Sequence, residues 1–434
     1  MGDLHLALLG HGTVGAEVAR LLFHHRDEYQ SRLGRRLNVK WILVRNKAKH
    51  PSTAFAGATI TTDLQQILDD RSLELAVEVM GPLDASSRAV TRCLETGKHV
   101  VTANKALLAE QGRELFAVAR RHEKTIAFEA SVGGGIPLIA AVGDSLASNK
   151  IVGVSGILNG TTNYILSAMH RDGVEFAAAL KTAQAKGFAE ADASLDVQGS
   201  DAAQKLAIVA RLAFGAWVDY RDIPRVGIEN LSTNEIDYAR ELGYTIKLLA
   251  RGRSDGARFE LRVAPTLLPK SNPLAHVAEE NNALQITGDA AGDVFLSGKG
   301  AGGSATASAV IADILGVASG RLTRSFAHFG LEGDRPGAPQ YSRDAFSPSR
   351  YYMRFSIKDE PGVLGQIAGV LGRHGISIAS VIQHEVPDDA PASDGVPLVI
   401  MTHHALERAV KAALQEADGL PVVSRPTVCL HVSD

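Results

Sequence analysis

Leu4-His5-Leu6-Ala7-Leu8-Leu9-Gly10-His11-Gly12-Thr13-Val14-Gly15 opens the chain, and Ala16 to Phe23 continues it with helical apolar spacing. Leu4 to Leu9 suits a buried strand. The three glycines then make G-x-G-x-x-G between strand and helix. Gly10 permits the tight turn, Gly12 lets a pyrophosphate approach the backbone, and Gly15 allows close helix packing. The phosphates would rest on the helix N-terminus, where unpaired N–H groups and the dipole favour anions. A lone G-x-G-x-x-G can be only a glycine-rich turn. Its setting makes Gly10, Gly12, Thr13, Val14 and Gly15 candidate dinucleotide contacts.

The next strand, Val39 to Val44, ends at Arg45, followed by Asn46, Lys47 and Lys49. A carboxylate there would bind a ribose 2′-hydroxyl, whereas arginine accommodates a 2′-phosphate. No acid is present, so Arg45 leans towards NADP; an exposed basic loop is the alternative, and dual use stays open. A third strand-like run, Leu75 to Met80, stops at Gly81-Pro82. After a helix (Ala85 to Glu95), the strand His99 to Thr102 runs out at Ala103-Asn104-Lys105. Lys105 therefore lies beyond the carboxyl end of a parallel strand, where open α/β sheets bind ligands. Thr125 to Glu129 reads as another strand, leading into Ala130-Ser131-Val132-Gly133-Gly134-Gly135-Ile136-Pro137. The irregular glycine loop offers carbonyls to a hard cation or close packing to its neighbours; the residues alone favour packing.

With 434 residues the chain is too long for one core, and two or three domains are expected. A net charge of −3 and 5% aromatic residues argue against a nucleic-acid binder. Cys93 and Cys429 alone make neither a disulfide framework nor a zinc site, which fits a reducing cytoplasm. The N-terminus lacks the basic region of a signal peptide, and no apolar run reaches membrane-spanning length.

From Ile151 the pattern changes. Val152 to Leu158 alternates like a strand and ends in Asn159-Gly160-Thr161-Thr162-Asn163, a loop able to offer hydroxyls and amides to a small polar ligand. Helices follow, and then Gly187-Phe188-Ala189-Glu190-Ala191-Asp192, Asp196 and Gly199-Ser200-Asp201 through Lys205. Ser200 is a good N-cap, and Leu206, Val209 and Leu212 recur at helical spacing. Asp201 and Lys205 share one helix face; by itself that is a surface ion pair worth about 0.3–0.5 kcal/mol. Strand-like pieces at 225–228, 245–251, 259–265, 283–288 and 294–297 suggest a mostly antiparallel second sheet. Gly298 to Thr306 opens another glycine-rich helix, to about Val317. The stretch 320–349 reads as a linker. Strand 351–357, helix 363–374, strand 376–386, a Pro/Asp loop, strand 398–403, helix 405–417 and strand 422–431 form a βαββαβ, ferredoxin-like unit.

Taken together, the chain resembles a homoserine dehydrogenase with a C-terminal ACT domain over essentially its whole length. The resemblance rests on Gly10–Gly15, Thr102-Ala103-Asn104-Lys105, Glu129–Pro137, Gly156–Tyr164, Gly187–Lys205 and Gly300-Ala301-Gly302-Gly303. Asp359-Glu360-Pro361-Gly362-Val363-Leu364 and Gly375-Ile376-Ser377-Ile378 carry the ACT part. It implies an α/β chain: a Rossmann-like NAD(P)-binding domain over 1–130, completed by the helix at about 300–318; an α+β catalytic, substrate-binding and dimerisation domain over 131–299; a linker over 320–349; and a ferredoxin-like ACT regulatory domain over 350–434. The implied reaction is reversible NAD(P)H-dependent reduction of aspartate 4-semialdehyde to homoserine.

By the same resemblance Glu190 holds the substrate amino group, with Asp201 and Thr162 beside it. Lys205 is the proton donor or acceptor and Lys105 supports the carbonyl and nicotinamide, although the two lysines can be exchanged in these roles. Thr13, Val14 and Gly302 touch the dinucleotide. A sodium or potassium ion near Glu129, Val132, Gly134 and Ile136 replaces the packing reading of the glycine loop. Threonine is the implied effector, a homodimer or homotetramer the implied assembly, and the linker would let the ACT domain move. Departures include Phe188 where many relatives have tyrosine, Ala193 where proline is common, and Gly81-Pro82 in place of Gly-Gly.

Overall fold

The computed structural model describes residues 2–50, 57–385 and 395–433. The last residue of the strand expected over 376–386, and most of the loop after it, lie outside these. Six strands form a parallel sheet: β1 (Leu4–Leu9), β2 (Leu37–Leu43), β3 (Thr59–Thr61), β4 (Leu73–Glu78), β5 (His99–Thr102) and β6 (Ile126–Ala127). Their order is β3-β2-β1-β4-β5-β6. The opening run is continuously apolar because both its faces are covered. Leu6, Leu8, Leu75 and Val77 pack against Val18 and Leu22 of the Thr13–His24 helix and against Val310 and Ile314 of the Gly303–Ala318 helix. Ala7, Leu9, Ala76 and Val100 face Val90, Cys93, Leu108 and Leu115 on the other side. The order reverses between β1 and β4, so a crevice opens there at the strands' carboxyl ends.

A second sheet begins with β7 (Ile151–Ile157), β8 (Tyr244–Ser254), β9 (Arg258–Pro269), β10 (Asn281–Gly288) and β11 (Gly292–Lys299), antiparallel in the order β11-β10-β7-β8-β9. Residues 225–228, expected as a strand, contribute only a bridge from Arg225 to Val263. The Ser200–Phe214 helix packs here and buries Leu206, Val209 and Ala210 completely. Ser200 is not its N-cap. Gly199 holds that place at φ +80°, without a side-chain cap bond, and Ser200 is the first helical residue.

The stretch 320–349, read as a linker, carries a helix at Arg321–Phe329 and the short strand β12 (Gln340–Tyr341), which pairs with β9. Then come β13 (Arg350–Ile357), β14 (Ile378–Ile382), β15 (Val396–Thr402) and β16 (Val423–Val432), with helices Val363–Arg373 and Glu407–Ala417 on them. The order β16-β13-β15-β14 is that of a ferredoxin-like unit. The expected freedom of this unit does not survive. β16 pairs in parallel with β9, His431 with Thr266 and Val432 with Leu267, so both units share one ten-stranded sheet. Arg262 binds Glu407 at 2.9 Å, Arg354 binds the buried Glu235, and Tyr352, Met401 and Leu430 join the hydrophobic core around the Ser200–Phe214 helix. Burial and the adjacent Arg262 push His431 well below the usual histidine range.

Candidate active site

The nucleotide wall follows from its glycines. Gly10 sits at φ +106°, and a Cβ there would lie 2.6 Å from the Val79 carbonyl oxygen. A Cβ on Gly12 would meet nothing within 4 Å, so this face is open for a ligand. Gly12 caps the Thr13–His24 helix and Gly302 caps the Gly303–Ala318 helix. Neither terminus has a side-chain cap bond or an acid in its first turn. The two helices pack together, with Gly303 so close to Thr13 that a Cβ would approach its Cγ2 to 3.1 Å. Two helix dipoles with unoccupied N–H groups therefore converge on one place. Arg45 is exposed beyond β2. The nicotinamide dinucleotide that these features suit would lie along Gly12, Thr13, Val14 and Gly302.

Behind the crevice stands Glu78, a fully buried residue at the end of β4 that sequence reading had not singled out. Its Oε1 accepts from the Met80 amide and the Ser86 hydroxyl, both at 2.8 Å, and Oε2 accepts from the Thr102 hydroxyl at 2.6 Å. Thr102 Oγ1 in turn accepts from the Asn104 amide. Asn104 Oδ1 caps the Lys105–Arg121 helix, and its Nδ2 donates to the Gly81 carbonyl. This relay fixes the first residue of that helix, Lys105. The signal was present: an acid inside the otherwise apolar run Leu75 to Met80.

Across the cleft, Asp201 sits in the first turn of its helix and is buried. Its Oδ1 lies 3.2 Å from Lys105 Nζ, and its Oδ2 accepts from Lys205 Nζ at 2.8 Å and from Asn159 Nδ2 at 2.8 Å. Lys205 also donates to the Leu158 carbonyl at 2.7 Å. Burial opposes ionisation of Asp201, but the ammonium groups of Lys205 and Lys105 outweigh it and hold the carboxyl down at about 2. Asp196, bonded to Asn159, shifts the other way through burial and the Asp201 charge. Lys105, Lys205, Glu78, Val14, Gly134 and Thr306 are among the residues lining a cleft of about 380 Å³, a size that suits small ligands. The lysine side chains differ: Lys205 is 12% exposed and Lys105 39%.

Two expected substrate contacts stand apart from this cluster. Thr162 is buried, and its hydroxyl donates to Asn159 Oδ1 at 2.9 Å, steadying the turn that aims Asn159 at Asp201. Glu190 is exposed in the segment between the helices Phe176–Ala185 and Ser194–Val197. Among the described residues no hydrogen bond or ion pair ties its carboxylate to the cluster. Nearby, Phe188 lies against Tyr164, ring centroids 4.9 Å apart, and its carbonyl accepts from Thr161.

The glycine loop lines the same cleft. Glu129 lies in a short 3-10 turn, not at the end of a strand, and its carboxylate receives the Ile139 and Ala140 amides at 2.8 and 2.9 Å. Burial raises its pKa against those bonds. The Ile136 carbonyl accepts from the Leu138 amide. The Val132 and Gly134 carbonyls receive none of the described backbone bonds outside helices and strands. Gly134, at φ +56°, is pressed so close that a Cβ would meet the Gly300 carbonyl at 2.6 Å. Open carbonyls suit a hard monovalent cation, so Val132 and Gly134 fit it best, whereas the Glu129 carbonyl is shared with the Val132 amide at 3.5 Å and that of Ile136 with the Leu138 amide at 2.8 Å. Among the described residues no group of three or more His, Cys, Asp or Glu could hold a metal ion.

Comparison with known proteins agrees with this fold. The homoserine dehydrogenase NAD-binding domain family matches residues 10–129, the homoserine dehydrogenase family matches 137–315, and the ACT domain family matches 351–419. A homoserine dehydrogenase of Neisseria gonorrhoeae is 39% identical, covering 100% of this chain and 99% of its own, and one of Bacillus subtilis is 36% identical over 98% and 96%. The crystal structure of a homoserine dehydrogenase from Thiobacillus denitrificans superposes with a TM-score of 0.92 at 36% identity, covering 100% and 98% of the two chains. A hyperthermophilic archaeal homoserine dehydrogenase in complex with NADPH matches at TM-score 0.61 and 26% identity, over 73% of this chain and 97% of that one. With its parallel nucleotide sheet, its mixed catalytic sheet and its ACT unit, this chain belongs to the homoserine dehydrogenase family of NAD(P)-dependent oxidoreductases.

Proposed function

We propose that the chain reduces L-aspartate 4-semialdehyde reversibly to L-homoserine, prefers NADPH over NADH, and serves threonine, methionine and isoleucine biosynthesis. The observation that carries the site assignment is the Asp201 carboxylate bridging Lys105 and Lys205 across the cleft. When bound, the nicotinamide supplies or accepts the hydride. Lys205 gives its proton to the aldehyde oxygen as negative charge develops there, held in line by Asp201 and the Leu158 carbonyl. It takes this role, not Lys105, because it is the more desolvated and is held by two acceptors. Lys105, placed by Asn104, adds a second positive charge beside the carbonyl and nicotinamide.

Glu190 takes the substrate ammonium by closing in from its exposed segment, while Thr162 acts through Asn159. Arg45 meets the 2′-phosphate, and Gly10, Gly12, Thr13, Val14, Gly15 and Gly302 cradle the rest of the cofactor. A sodium or potassium ion on the Val132 and Gly134 carbonyls would stiffen the loop that lines the cleft. Threonine, bound at the ACT unit, regulates the enzyme, and the active form is a homodimer or a homotetramer built from it. A cytoplasmic setting would keep Cys93 and Cys429 as thiols, both pushed up to about 12 by burial. Among the described residues no helix is long and apolar enough to cross a membrane. The test is oxidation of NADPH, then NADH, with aspartate semialdehyde. No turnover by the wild type would overturn the reading; a flat response to millimolar threonine would leave the ACT unit structural.

A further inference from the structure

Away from the cleft, a cavity of about 210 Å³ lies between the C-terminal half of the Ser200–Phe214 helix, residues 142–151 and residues 331–335. Arg211 lines it and is 1% exposed. Its Nη2 donates to the Gly330 and Gly333 carbonyls at 2.6 and 2.7 Å and its Cζ lies 5.9 Å from the Trp217 ring centroid, while Nε and Nη1 have no hydrogen-bond partner among the described residues. The exposed Arg335 lines the same cavity. The nearest acids are engaged elsewhere: Asp334 receives the Trp217 amide at 2.9 Å, and Glu332 pairs with Arg120 at 3.0 Å. Burial first, then Arg335, brings Arg211 down to about 10.

A buried guanidinium with unmet donors is costly, and a bound anion removes that cost. The other walls decide which anion. Val142, Leu146, Ile151 and Leu331 are aliphatic. Asn149, also on the wall, donates its amide to Ser148 and accepts from the Ala291 amide, so phosphate would turn most of its oxygens against aliphatic surface. A carboxylate has only two oxygens to satisfy and can carry an apolar body of its own.

We propose that this cavity binds a small aliphatic carboxylate, its oxygens on Arg211 and Arg335 and its carbon body against Val142, Leu146, Ile151 and Leu331. Such a ligand would join the 330–335 stretch to the helix that also carries Asp201 and Lys205. The test is calorimetric titration of the full chain, without substrate or cofactor, using isobutyrate, its neutral isostere isobutyramide and inorganic phosphate. Isobutyrate is expected to bind saturably and isobutyramide not at all, with phosphate weaker. Arg211→Met strips a core charge and is at risk of not folding, so two further variants carry the decision. Arg335→Ala, at an exposed position, should weaken isobutyrate binding about tenfold or more. Leu146→Phe keeps both guanidinium groups, fills the cavity and should abolish binding. No saturable binding, equal binding of isobutyramide, tighter binding of phosphate, or binding unchanged in both variants, which would place the ligand in the catalytic cleft, overturns the proposal.

Discussion

Two buried carboxylates stand on opposite walls of the cleft, and they are held in opposite ways. Glu78 is surrounded by neutral donors: one amide and two hydroxyls. Asp201 is gripped by two ammonium groups and one side-chain amide. Neutral donors fix where a carboxylate sits without neutralising it, so Glu78 is suited to framing the nucleotide wall. Ammonium groups also set which charges meet in the cleft, so Asp201 belongs with the chemistry. The same side-chain class does two jobs, distinguished by what surrounds it.

The comparison can be broken by variants on either wall. The largest effect should come from Lys205→Ala, with kcat down about a thousandfold and the fold intact; turnover within a few-fold of wild type would remove the charge wall from the mechanism. Glu78→Ala should come next, leaving three donors without an acceptor and lowering stability by about 3 kcal/mol. Denaturant unfolding reads that loss, and the KM for NADPH should rise while the pH profile of kcat keeps its shape. A shifted profile would make Glu78 part of the charge system after all.

Asp201→Asn sharpens the contrast through pH. The folded pKa of Asp201 is depressed, so its contribution is full above the unfolded value and is lost as pH falls through about 2. That contribution is about 2 kcal/mol, with about half gone by pH 3. The stability gap between wild type and Asp201→Asn should therefore narrow on acidification; a constant gap would contradict the ion-pair reading. The smallest effect expected is for Arg45→Ala, a fall of about tenfold in the preference for NADPH over NADH. An unchanged ratio would make Arg45 a solvated surface residue.

Local grammar carried much of this into the sequence. The strand-glycine-helix opening, Lys105 just past a strand end and the βαββαβ tail are each written within short windows, where periodicity and turn chemistry act. The Asp201–Lys205 spacing was legible in one window, whereas Lys105, which comes from another domain, joined them only through the family resemblance. Ser200 was mistaken for the cap because serine and glycine both suit that place; only the backbone at Gly199 decides. Nothing local announces that β16 will pair with β9, since two paired residues far apart in the chain leave no periodic trace. Arg211, like Glu78, did leave a mark as a lone charge inside an apolar run.

The outer edge of β9 is met by three separate pieces of chain: Arg225 at Val263, β12 at Arg258 and Phe259, and β16 at Thr266 and Leu267. An unpaired strand edge is a template for other chains. Cutting this protein after residue 349 would therefore do more than delete the ACT unit. It would bare the terminal portion of β9 and invite that edge to pair with copies of itself, so the ACT unit also guards against strand-to-strand aggregation.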